Sequence, residues 1–81
     1  MAVTIKFLGM QRTITNIDSI DMVINGKATV NDALEYVRQQ YPTLPLDEGM
    51  ILMVVNSQVA SPNMALKDSD VVSFLPTIGG G

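Results

Sequence analysis

The chain has 81 residues and a net charge of -3, with 47% hydrophobic and 16% charged residues and a mean hydropathy of +0.27. That length holds one hydrophobic core, and that composition is too apolar and too poor in charge for a disordered chain. Cysteine and histidine are both absent, which removes disulfides, thiolate metal sites, the commonest metal ligand and the usual general base near pH 7. The five cations, Lys6, Arg12, Lys27, Arg38 and Lys67, are scattered singly, whereas a phosphate-binding surface needs them clustered. Nucleic acid is not an expected partner.

Ala2 to Met10 lacks a charged segment followed by an apolar one, so it does not read as a targeting signal. No apolar run approaches the ~20 residues that span a bilayer. The expectation is a cytoplasmic protein with no membrane partner. Val3, Ile5 and Phe7 alternate with Thr4 and Lys6, the period-two signature of a strand with one buried face, and Gly9 breaks it. Gln11 to Asp18 is polar and reads as a loop. Ile20, Met22 and Ile24 alternate with Ser19, Asp21 and Val23, a second strand ended by Asn25-Gly26. The two strands should form an antiparallel hairpin.

The period then changes. Val30, Ala33, Leu34, Val37 and Tyr41 form one helical stripe. Thr29 is a candidate N-cap, Asp32 suits the first turn, and Pro42 should stop the helix near Gln40. Pro42 to Gly49 reads as a loop. Ile51 to Val55 is a continuous apolar run, which predicts a strand buried on both faces. Asn56-Ser57-Gln58 predicts a turn, Val59-Ala60 a short edge strand, and Val71 to Leu75 a last strand ended by Pro76. Lys67 to Asp70 predicts a polar turn in which Asp68 and Asp70 face solvent. One helix across one mixed sheet of four to five strands makes a two-layer α+β domain over residues 1–75. Residues 76–81 then form a flexible tail.

The body of the chain offers little chemistry. Its serines and threonines have no histidine to activate them, and the acidic pairs read as solvated turns. No metal site is expected. The tail differs: three of the six glycines are its last three residues. Glycine has no side chain to obstruct passage through a narrow channel, and six residues reach ~20 Å at ~3.3–3.6 Å each. A terminal carboxylate at Gly81 could therefore enter another protein's active site and be activated there.

Four stretches resemble one family. Val3 to Gly9 is similar to its first strand, with Arg12 near an arginine often found just after it. Val54-Val55-Asn56 with Val59 resembles its turn and short strand. Leu66 to Pro76 followed by Gly79-Gly80-Gly81 resembles its last turn, last strand and diglycine end. These are the ThiS-like sulfur carriers, which include the molybdopterin synthase small subunit and have the ubiquitin-like β-grasp fold. Gln11 departs from the family pattern, where an apolar residue is common; so do Ser69 for a turn glycine, Val71 for an acid, Leu75 for a phenylalanine and Thr77 for a proline.

The resemblance implies a non-catalytic carrier that binds no cofactor of its own. An E1-like adenylating enzyme would use ATP to adenylate Gly81, a sulfur donor would convert the adenylate to a thiocarboxylate, and Gly79, Gly80 and Gly81 would enter the active site of the molybdopterin synthase large subunit. Delivery of sulfur to thiamin or another thio-metabolite, conjugation as a ubiquitin-like modifier, and a plain interaction module are the alternatives. Alternation in the last strand turns Val72 and Phe74 inward and Val71, Ser73 and Leu75 outward. Leu75, Val71, Val59 and Leu8 are the expected partner-binding patch.

Overall fold

A computed structural model describes residues 1–76. Five strands and two helices follow in the order β1 (Ala2–Lys6), α1 (Met10–Thr15), β2 (Ser19–Val23), α2 (Val30–Gln40), β3 (Ile51–Val55), β4 (Gln58–Val59) and β5 (Val71–Pro76), with a single 3-10 turn at Glu48–Met50 before β3. The strands form one sheet in the order β2-β1-β5-β3-β4. β1 pairs antiparallel with β2 and parallel with β5, and β3 pairs antiparallel with both β4 and β5. The last strand of the chain is thus the middle strand of the sheet.

Helix α2 forms where its stripe predicts. Its start is a reciprocal capping box: Asp32 N–H donates to Thr29 Oγ1 at 3.3 Å, and Thr29 N–H donates to Asp32 Oδ2 at 2.8 Å. A cap of this kind stabilises by ~1 kcal/mol. Eleven residues alone would be marginal in water, so burial of Val30, Ala33, Leu34 and Val37 against the sheet holds the helix. From the sheet side come Val3, Ile5, Met22, Met53, Val55, Val72 and Phe74, with Leu44 and Leu46 closing one side. Phe7 meets Tyr41 edge-on, with ring centroids 5.6 Å apart, a favoured aromatic geometry.

Several expectations need correction. The segment read as a polar loop contains α1. This helix has six residues and no apolar stripe; its one buried residue is Gln11. Gly9 enters it at φ 53, and Asn16 leaves it at φ 62 with its N–H donating to Arg12 O. The second correction is β3, which is not buried on both faces: Ile51, Met53 and Val55 are buried, whereas Leu52 keeps 39% of its surface exposed. Its run is continuous because both faces are apolar, although only one is covered.

Asp70 is the third. Asp68 is exposed and accepts from Ala2 N–H at 3.0 Å, but Asp70 is buried. Its Oδ1 accepts from Asn56 Nδ2 at 2.9 Å and its Oδ2 from Lys67 N–H at 2.8 Å. Finally, β5 continues through Pro76, opposite Ile51, one residue past Leu75, where the strand is expected to end. The edge strand also shifts by one residue: β4 is Gln58–Val59 rather than Val59-Ala60, because Gln58 pairs with Val55 and leaves Asn56 and Ser57 as a two-residue loop with φ of 51 and 70. Positive φ at both positions is what the right-handed strand twist asks of a tight hairpin.

Candidate functional site: the open sheet face and the root of the tail

Period two sorts β5 as expected. Val72 and Phe74 are buried, while Val71, Ser73 and Leu75 are half-buried on the opposite face. Among the described residues no helix covers that face; α2 covers the other. Register places Leu52 opposite Leu75 and Val54 opposite Ser73 and Val59. The result is a shallow concavity of about 590 Å³ whose walls include Leu8, Val54, Val71, Ser73 and Leu75, with Lys6 the one charged side chain among its lining residues. It lies on the strand whose next residues are the glycine-bearing tail.

Three of the four predicted patch residues, Leu8, Val71 and Leu75, line this concavity together. Val59 does not line it. It is 69% exposed on β4 and adjoins the concavity through its register partner Val54. Sequence reasoning missed Leu52 and Val54. Their signal was present, because alternate residues of a strand opposite Ser73 and Leu75 must share their face; reading the apolar run as doubly buried hid it. Gly79, Gly80 and Gly81 lie outside the described residues.

The root of the tail is held on both edges. On one side Leu75 and Pro76 pair with Leu52 and Ile51. On the other, Gln11 Nε2 donates to Phe74 O at 2.6 Å. The far end of β5 is fastened through the Asp70 network and through Thr4 N–H donating to Asp70 O at 2.9 Å. The strand is therefore anchored along its length up to the point where the tail begins.

The described residues contain no grouping of three or more Asp or Glu that could hold a metal ion, and no helix among them is long and apolar enough to cross a membrane. Two ion pairs, Arg12–Asp18 at 3.8 Å and Arg38–Glu35 at 2.7 Å, lie outside the concavity, and the first is strongly exposed. Surface pairs of that kind contribute little. What the described face can do chemically is bind: it offers apolar side chains, the polar side chains of Asn56, Ser57 and Ser73, and a single cation.

A five-stranded mixed sheet with a helix packed across it, β5 central and parallel to β1, is the ubiquitin-like β-grasp fold. The sequence pattern of the ThiS family matches residues 5–81, and the chain belongs to that family. It is a ubiquitin-like carrier or modifier, a small non-catalytic protein that acts with partner enzymes. Similar solved structures include SAMP1 from Haloferax volcanii, with a TM-score of 0.81 at 19% identity and 100% of both chains covered. The complex of subunits 1 and 2 of molybdopterin-converting factor from Helicobacter pylori 26695 also matches, with a TM-score of 0.65 at 27% identity and 100% of both chains covered. The BexX/CysO complex of Amycolatopsis orientalis matches with a TM-score of 0.69 at 23% identity, covering 98% of this chain and 99% of that one. No curated protein matches the chain in sequence.

Proposed function

We propose that the protein is a sulfur carrier that serves as the small subunit of a molybdopterin synthase. The observation that carries this reading is the family match, which runs to residue 81 and so takes in the three terminal glycines. In this reading an E1-like enzyme uses ATP to form an acyl-adenylate on the Gly81 carboxylate. A sulfur donor displaces AMP and leaves a thiocarboxylate. The large subunit then takes the sulfur from the tail to build the molybdopterin dithiolene. No cofactor is held by the carrier itself, and the whole exchange takes place in the cytoplasm.

The division of labour follows from composition. A chain without Cys or His cannot supply a thiolate or an imidazole base, so partners supply the catalysis and this chain supplies the reacting terminus. The open face of the sheet supports the reading by giving partners an apolar area beside the root of the tail. The Helicobacter pylori molybdopterin-converting factor, solved as a complex of its subunits 1 and 2, is consistent with the molybdopterin branch.

Intact-mass measurement of the protein purified from its native host tests the reading. A species heavier by the difference between one sulfur and one oxygen, localised to the C-terminal fragment, is the expected result. Peptides from other proteins that carry this chain's C-terminal segment after Lys67 in isopeptide linkage on a lysine, without any thiocarboxylate species, would replace the carrier by a modifier.

A further inference from the structure

The side chain of Gln11 stands between two strands. In the parallel β1–β5 ladder, Thr4 N–H donates to Asp70 O. Two such steps along both strands bring Leu8 N–H to face Phe74 O. Those two groups do not bond each other. Leu8 N–H donates to Gln11 Oε1 at 3.1 Å, and Gln11 Nε2 donates to Phe74 O at 2.6 Å. The carboxamide is inserted as one rung of the ladder. Its orientation is forced, because an N–H can only donate and a carbonyl can only accept.

The insertion has a cause in the fold. β1 ends at Lys6, Phe7 N–H donates across to Asp18 O, and the chain turns into α1 at Met10. β1 has therefore left β5 before β5 ends. Without Gln11, Phe74 O would be a buried acceptor with no strand beside it, a costly state. Pro76, two residues on, has no N–H with which to extend pairing on that edge. Gln11 is 8% exposed and lies on α1, whose backbone it also helps to start by tying down Leu8.

We propose that Gln11 is a positioning residue: its carboxamide fixes the direction in which β5 delivers the tail to the partner enzyme. The proposal rests on the carrier reading above. An apolar residue at this position would fill the space and leave Phe74 O unpaired. β5 would then be held at its end by β3 alone, and its last residues could swing about that single edge.

Two substitutions separate positioning from simple packing. Gln11→Leu removes both bonds at similar volume. Gln11→Glu, in its ionised form, keeps an acceptor for Leu8 N–H but sets a second carboxylate oxygen against Phe74 O, so it breaks only the bond to the tail strand. Amide hydrogen exchange on the free protein and ATP–pyrophosphate exchange with the host's E1-like enzyme are measured on both variants and the parent, after circular dichroism shows each folded. Leu75 N–H exchange should quicken and the kcat of pyrophosphate exchange fall, each about tenfold, the scale of one unsatisfied buried group. The KM for the carrier should be unchanged. In Gln11→Glu the Leu8 amide should stay protected.

Parental Leu75 exchange in both variants would overturn the proposal. So would quickened exchange with unchanged kcat, which would leave Gln11 a purely structural residue. Absence of pyrophosphate exchange with the parent protein would instead overturn the carrier reading. The residual dipolar coupling of Leu75 N–H in the free protein would then still decide the positioning claim, which requires it to change in Gln11→Glu.

Discussion

The two faces of the central strand are made from nearly the same residue types and have opposite fates. Val72 and Phe74 are sealed under α2, with 0% and 2% of their surface exposed. Val71 and Leu75, their neighbours in sequence, are half-buried around an open concavity. Hydrophobicity alone does not separate a covered face from an open face here; the presence or absence of a covering helix does. The lesson extends to β3, where buried Met53 is flanked by Leu52 and Val54 on the open side.

Substitutions on each face sharpen that contrast. The largest effect is expected from Phe74→Ala, a core deletion that should cost ~3–5 kcal/mol in a denaturant melt. Next comes Asp70→Ala, which strips Asn56 Nδ2 and Lys67 N–H of their acceptor. It should destabilise by ~1–3 kcal/mol. Leu75→Ala should act mainly on binding. Its loss of partial burial is expected to cost about 1 kcal/mol of stability, while binding to the activating enzyme or large subunit weakens by ~1–3 kcal/mol. If Leu75→Ala unfolds as readily as Phe74→Ala and binds normally, the two faces have been assigned the wrong roles.

Most of the fold was legible because its elements obey simple periods. β1, β2, β5 and α2 each bury one face and leave the other polar or half-open, so alternation or a helical stripe marks them. The capping pair Thr29 and Asp32 marked the start of α2. Helix α1 was illegible for the opposite reason: it is one and a half turns long, and tertiary hydrogen bonds through Gln11 hold it rather than an apolar stripe. Asp70 was misread because burial of a carboxylate depends on partners distant in sequence, above all Asn56. Ser69 shows the same dependence on context. It stands where the family has glycine, and it adopts φ 69, the conformation that explains glycine there. Of the candidate patch, Leu8, Val71 and Leu75 were readable from alternation and position. Leu52 and Val54 required the β3–β5 register.

The central claim is that the chain acts through a carboxylate at Gly81 presented beyond an anchored strand. Its most direct test is ATP–pyrophosphate exchange catalysed by the host's E1-like enzyme, with the parent protein, a variant lacking Gly81 and a variant extended by one residue. One residue shifts the carboxylate by ~3.5 Å, far more than near-attack geometry tolerates. The account predicts exchange with the parent and none above background with either variant, at unchanged unfolding midpoints. Parental exchange rates with both variants would contradict it.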